Sequence, residues 1–215
     1  MDEQELKNNI LEHVKNFYES RKNSDKFFPG KTELYYGQAV YDHNEVGALI
    51  DSLLDGWLGI GRKGAEFEQN FSNFVGLQAS VLTNSGSSAN LLAVTSLMSH
   101  QFEKRLNPGD EIITQAMTFP TTFNPIVQNG LKPVLVDSNL GSYTVKVDAV
   151  EKAITGKTRA MIFHHPLGNP NDMETILEIA QKHDLFVIED CCDALGSEFG
   201  GRKVGSFGNL STFSF

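Results

Sequence analysis

Four stretches of this sequence carry residue types that do chemistry. The first, Thr83-Asn-Ser-Gly-Ser-Ser-Ala-Asn-Leu91, joins an apolar run to a helical pattern. Gly86 permits a tight turn there. Ser87 and Ser88 set hydroxyls beside the free amides of a first helical turn, and those amides with the helix dipole favour a phosphate. Serine at this place is equally an ordinary helix cap. No Gly-Lys-Ser/Thr follows, so this is not a Walker P-loop, and the glycine spacing is not the dinucleotide fingerprint. The second stretch is Met117-Thr-Phe-Pro-Thr-Thr-Phe-Asn-Pro125. Phe119, held by the proline after it, would stack on a planar ring, although by itself it reads as core.

The third stretch is Val187-Ile-Glu-Asp-Cys-Cys-Asp-Ala-Leu-Gly196, where two carboxylates end an apolar run. An Asp in that position would pair with a protonated ring nitrogen of a cofactor and hold the charge that makes the ring an electron sink. The plainer reading is a solvated strand end, with Cys191 and Cys192 as small buried residues. The fourth is His164-His165-Pro-Leu-Gly-Asn-Pro170. Paired histidines suit metal or acid–base work. No partner stands at metal-ligand spacing, so this reads as a strand end entering a loop. The sequence holds no nucleophile elbow, His-Glu-x-x-His pattern or paired Cys-x-x-Cys motif.

The elements that must position these residues follow from periodicity. Residues 3–22, 45–57 and 64–75 have apolar residues at helical spacing, with a Gly- and Tyr-containing connector running to about residue 43. From residue 79 the pattern becomes strand–helix alternation. Strands are expected at 79–83, 111–115, 132–137, 158–164, 185–190 and 210–215. Helices are expected at 87–99, 121–129, 147–154 and 173–183. Strand, crossover helix, strand is the signature of an α/β fold with a mainly parallel sheet and helices on both faces. Ligands bind such sheets outside the C-terminal strand ends, and all four stretches fall there. The chain divides into an N-terminal helical segment, 1–60, and a strand–helix alternating domain, 61–215.

Composition narrows the classes. The 215 residues carry 18 Lys and Arg against 27 Asp and Glu, a net charge of −9, which argues against non-specific nucleic-acid binding or an anionic membrane surface. Fifteen Phe and dense aliphatic runs argue against disorder. No apolar run reaches the ~18–20 residues that span a bilayer, and no signal-peptide pattern opens the sequence. The only two cysteines are adjacent, which excludes a disulfide scaffold and fits a reduced, cytoplasmic setting.

Taken in order, a Ser-Gly-Ser-Ser turn, an aromatic and a strand-terminal Asp follow the logic of a pyridoxal-phosphate site. The chain resembles the DegT/DnrJ/EryC1/StrS group of nucleotide-sugar aminotransferases and dehydratases, and within it the CDP-4-keto-6-deoxy-D-glucose 3-dehydratases. The resemblance rests on Leu53–Arg62, Asn84–Ala93, Phe119–Ile126, Leu167-Gly-Asn169 and Glu189–Gly196. The Cys-Cys-Asp segment discriminates best, because ordinary aminotransferases of the group carry small residues and a Gln or His there. The resemblance implies the fold-type-I, aspartate-aminotransferase-like large domain.

It also implies roles. Ser87, Ser88 and Ser214 would contact the cofactor phosphate, and Phe119 would stack on the pyridine ring. Asp190 would bind the ring nitrogen, and Asp193 would lie near the ring's polar edge. Cys192 matches a ligand of a two-iron two-sulfur cluster. The implied cofactor is pyridoxamine or pyridoxal 5′-phosphate. The implied reaction is C3 dehydration of a CDP-4-keto-sugar on the way to 3,6-dideoxyhexoses of surface lipopolysaccharide, with electrons from a partner reductase. Family members are generally homodimers. The family's base (a His in place of the usual Lys) and the other cluster cysteines match positions beyond Phe215. The 215 residues are therefore expected to be an N-terminal portion, inactive by itself. The alternatives are a pyridoxal-phosphate nucleotide-sugar aminotransferase and a truncated, non-catalytic remnant.

Overall fold

In a computed structural model, residues 1–21, 27–34 and 39–215 are described. Lys22, expected to end the first helix, and parts of the expected connector lie outside the described residues. The chain forms two compact units, Met1–Phe67 and Glu68–Phe215. In the first, α1 (Glu3–Arg21) packs with α2 (His43–Leu54). Asp42 caps α2: its carboxylate accepts the Asn44 N–H at 2.8 Å, while the Asp42 N–H donates to Glu45 at 2.7 Å, a reciprocal capping box. Lys7 of α1 bridges Asp51 and Asp55 at 2.6 and 2.9 Å, which ties the two helices together. The unit boundary falls within α3 (Arg62–Val75).

The second unit is strand–helix alternation. Its elements are α4 (Gly86–Ser96), β1 (Glu111–Gln115), α5 (Pro120–Gln128), β2 (Lys132–Val136), α6 (Val147–Lys152), β3 (Thr158–His164), a single 3-10 turn (Pro166–Gly168), α7 (Met173–His183), β4 (Phe186–Asp190), β5 (Glu198–Phe199), β6 (Arg202–Lys203) and β7 (Leu210–Thr212). Five strands form one sheet in the order β2-β1-β3-β4-β7, every pair parallel. Side chains alternate across a strand, so each strand feeds two cores. Ile113, Met161, Phe163 and Val187 pack with Val150 of α6 and Met173, Ile176 and Ile179 of α7. Ile112, Ala160, Ile162 and Ile188 pack with Val94 of α4 and Ile126 of α5. Both faces are thus covered, which explains why the strands read as continuous apolar runs.

After β1 the chain steps outward to β2, then returns to build β3, β4 and β7 on the opposite side. The order reverses between β1 and β3, and a crevice opens at the carboxyl ends there.

Residues 79–83 are not a strand. A parallel strand needs a neighbour, and none of the described strands pairs with this segment. Glu68 takes its polar groups instead: Ser80 Oγ donates to the Glu68 carbonyl at 2.6 Å, and the Leu82 N–H donates to Glu68 Oε1 at 2.8 Å. The last expected strand is shorter than 210–215. Past Thr212 the chain leaves the sheet, and Phe213 and Phe215 set their rings edge-on to Phe71, with centroids 4.9 and 5.4 Å away. The antiparallel β5–β6 hairpin was not expected. It turns on Gly200 and Gly201, at φ 58° and 79°, the two positive values that a two-residue hairpin turn requires. No described helix is long and apolar enough to cross a membrane.

Candidate active site

A cavity of about 380 Å³ sits at the carboxyl ends of the strands. It is lined by Ser85, Gly86 and Ser87 from the start of α4, Phe119 and Thr121 after β1, His164 at the end of β3, Asp190, Cys192 and Asp193 at and after β4, and Ser214 and Phe215 after β7. The sheet topology therefore brings Ser87, Phe119, Asp190, Cys192, Asp193 and Ser214 to one place. Phe119 is 66% exposed. It is not core: Pro120 opens α5 directly behind it and leaves the ring at the cavity mouth.

Asp190 is not a solvated strand end. It is 4% exposed and held by three donors. Asn90 Nδ2 and Thr122 Oγ1 donate to Oδ2 at 2.8 and 2.7 Å, and the Cys192 N–H donates to Oδ1 at 3.1 Å. Asn90 is itself fixed, because Thr212 Oγ1 donates to its Oδ1 at 2.6 Å. A buried carboxylate needs such donors. The sequence reading missed Asn90, Thr122 and Thr212. A signal for Asn90 existed: Gly86, Asn90, Ala93 and Val94 form the buried stripe of α4, so Asn90 is a polar residue on an apolar face.

Ser85 is the N-cap of α4, its side chain accepting the Ser88 N–H at 3.2 Å. Ser88 is not among the cavity-lining residues, and its hydroxyl lies 3.3 Å from Ser85 Oγ. The Gly86 and Ser87 amides, at the first two helical positions, have no intrahelical acceptor and stand at the cavity rim with the Ser87 hydroxyl. A Cβ on Gly86 would fall 2.8 Å from Ser214 Cβ and 3.0 Å from Cys192 Sγ. Glycine is what lets the helix start approach both.

His164, read from sequence as a strand end entering a loop, also lines the cavity. Its Nδ1 lies 2.5 Å from Gln115 Nε2 and 3.1 Å from Thr118 Oγ1. Burial lowers its pKa, while the charges of Asp190 and Asp193 pull the other way. Burial, then the Asp190 charge, pushes the Cys192 thiol well up. Cys191 is fully buried against Ala194 and Val204, and its thiol is raised for the same first reason.

His165, Glu189 and Cys191 place ligand-type atoms within 4.8 Å of one another. Their hydrogen bonds explain them as architecture. Glu189 accepts the N–H groups of Gly205, Phe207 and Gly208, each at 2.7 Å, and pairs with His165 Nε2 at 3.3 Å. His165 Nδ1 accepts the Asn171 N–H at 3.1 Å. The cluster clamps the 205–208 loop to β4.

The donor set fits a pyridine-ring phosphate: open helix amides and hydroxyls at one end, an aromatic at the mouth, a buried carboxylate at the strand end. An iron–sulfur cluster is another matter. Such clusters take four ligands, and the 215 residues contain two cysteines, one of them facing the core. Cys192 is the single cysteine at the cavity, so these residues do not by themselves make a cluster site.

Parallel sheet, switch-point crevice and site together define the large domain of a fold-type-I pyridoxal-phosphate-dependent enzyme. Residues 40–215 match the DegT/DnrJ/EryC1/StrS aminotransferase family, and the chain belongs to it. It is 46% identical over 212 residues to dTDP-4-dehydro-2,6-dideoxy-D-glucose 3-dehydratase of Saccharopolyspora spinosa, covering 98% of this chain and 46% of that protein. It is 40% identical over 211 residues to the lipopolysaccharide biosynthesis protein RfbH of Salmonella typhimurium, covering 98% and 48%. Among solved structures it is similar to E. coli GDP-4-keto-6-deoxy-D-mannose-3-dehydratase with bound hydrated PLP, at TM-score 0.76 and 32% identity over 82% of this chain and 45% of that one. The chain spans about half the length of the curated relatives it matches.

Proposed function

We propose that this chain forms the cofactor-holding part of a cytoplasmic nucleotide-sugar 3-dehydratase acting on CDP-4-keto-6-deoxy-D-glucose. The observation that carries the reading is Asp190, buried at the end of β4 and held by three donors on the wall of a cavity whose other end is a helix N-terminus rich in hydroxyls. Pyridoxamine phosphate, when bound, would supply an amine that joins the sugar ketone and a ring that holds the electron pair left by loss of its C4′ proton and returns it as the C3 hydroxyl leaves. The Gly86 and Ser87 amides and the Ser87 and Ser214 hydroxyls would bind the phosphate, while Ser88, expected there from the resemblance, lies off the cavity lining beside the Ser85 cap. Phe119 covers one ring face and keeps water from it. Asp190 holds a proton at the ring nitrogen, and Asp193 faces the ring's polar edge.

The likeness to two sugar 3-dehydratases and to a lipopolysaccharide biosynthesis protein supports deoxygenation at C3 over amination. The Cys-Cys-Asp segment supports the CDP-sugar branch. In that branch Cys192 would contribute one thiolate to a two-iron two-sulfur cluster served by a reductase, with the remaining ligands supplied from outside these residues, in a homodimer. The family's description as aminotransferases favours a second reading, a pyridoxal-phosphate sugar aminotransferase. A Lys at the base position of the natural gene product, with no iron–sulfur absorption, would select it.

The test is turnover by the natural gene product carrying this chain, loaded with pyridoxamine phosphate and a reductase. CDP-4-keto-6-deoxy-D-glucose should be consumed in preference to the dTDP and GDP analogues, with loss of the C3 hydroxyl. Asp190→Ala should slow turnover by about 100-fold or more. Near-normal turnover in that variant, or an aminated product, sinks the reading.

A further inference from the structure

The three donors on Asp190 are not equivalent. A carboxylate offers about four lone-pair sites. Oδ2 receives two donors, Asn90 Nδ2 and Thr122 Oγ1, and is filled. Oδ1 receives the Cys192 N–H and keeps one site. The Cys192 thiol also leans on this carboxylate, a weak donor that a charged ring N–H displaces. Asn90 arrives from α4, 100 residues away in sequence, and is fully buried. Its amide has one sensible orientation. Thr212 Oγ1 donates to Oδ1, so the NH₂ must face Asp190; flipped, an amide oxygen would abut a carboxylate.

From this chain of contacts we infer that Asn90, locked by Thr212, is a positioning residue for the ring proton. Resting on the proposed cofactor reading, it saturates Oδ2 and leaves the open site on Oδ1 to a protonated ring nitrogen. A charge-assisted donor stabilises the carboxylate form of the pair over the form in which the proton has moved from nitrogen to oxygen. Removing the Asn90 donor strips that support. The proton then moves from the ring nitrogen to Asp190, with no other bond made or broken, and the ring loses its charge. Thr212 acts one step further back. Without its hydroxyl the amide is free to rotate, and the same shift follows to a smaller extent.

The experiment reads the proton directly. The natural gene product is loaded with pyridoxal phosphate labelled with nitrogen-15 in the ring, and the ring-nitrogen resonance is recorded for the wild type, Asn90→Leu, Thr212→Val, Thr212→Ser and Asp190→Ala. Asp190→Ala sets the unprotonated end of the scale. Asn90→Leu should move the resonance about half-way or more toward that end with cofactor still bound. Thr212→Val should move it less, and Thr212→Ser, which keeps the hydroxyl, should restore it. Circular dichroism melting of each apoprotein reports folding, and the Thr212 pair carries the test should Asn90→Leu fail to fold. A full response to Asp190→Ala, with both Asn90→Leu and Thr212→Val at the wild-type position, overturns this inference and leaves the cofactor reading standing. A wild type that binds no cofactor, or an Asp190→Ala protein with an unmoved resonance, overturns both.

Discussion

His164 ends β3 with its ring held by Gln115 and Thr118, inside the cavity that Asp190 also lines. Burial lowers its pKa from the ordinary value of 6.5, with Asp190 and Asp193 opposing the shift. The folded protein therefore keeps this imidazole neutral where the unfolded chain protonates it. In that range the unfolded state binds more protons, so stability rises with pH and is lost as pH falls below about 6.5 toward the depressed folded value. The urea midpoint should drop between about pH 7.5 and pH 5.5, and His164→Gln should drop measurably less. Equal drops in both proteins would show that His164 is not held neutral by the fold. The same residue marks what sequence could reveal of the site. Ser87, Phe119 and Asp190 stand at turns and strand ends, which pattern locates, whereas Cys192, Asp193 and Ser214 are assigned only by what the family resemblance implies. Asn90, Thr122 and His164 act through partners 100, 68 and 49 positions away, and no local pattern encodes such pairings.

Among the elements, β4 and the segment that follows it are the most tightly specified. Glu189 gathers three backbone N–H groups of the 205–208 loop, and Asn209 exchanges two hydrogen bonds of 2.8 Å with Val187. Gly208 lies so close to the strand that a Cβ there would meet the Val187 carbonyl oxygen at 2.6 Å. That neighbour is backbone inside a paired strand and cannot turn aside. Gly208→Ala should therefore cost about 1–3 kcal/mol in urea unfolding. It should also loosen β7, which carries Thr212 into the Asp190 network. An unchanged midpoint would mean that the loop does not press on β4. The major elements were legible because short continuous apolar runs, the mark of strands covered on both faces, alternate with longer stretches of helical period. Residues 79–83 misled because an apolar run states that a strand is possible, not that a neighbour exists. The β5–β6 hairpin was legible in principle, since Gly200-Gly201 between Phe199 and Arg202 is a two-residue turn signal, but two-residue strands carry no periodicity.

At the scale of the whole molecule the sheet has two unlike edges. β2 at one edge carries Lys132 and Pro133, the charge and the missing donor that discourage strand addition. β7 at the other edge reads Leu210-Ser-Thr212, with neither device, and among the described residues nothing pairs with it on the side away from β4. An open parallel edge of this kind presents a row of free N–H and C=O groups as a template. On α4, which packs against β7, Leu92 is 48% exposed and adds apolar surface that favours association over solvation. The 215-residue protein should therefore sediment above its 23.8 kDa monomer mass, with the excess growing as concentration rises. Ser211→Lys, which sets a charge on the open edge, should shift the distribution toward monomer, whereas Lys132→Gln on the already blunted edge should leave it near wild type. A wild-type protein that sediments as monomer at every concentration would show that β7 is not a sticky edge. Equal responses to the two substitutions would show that association runs through another surface.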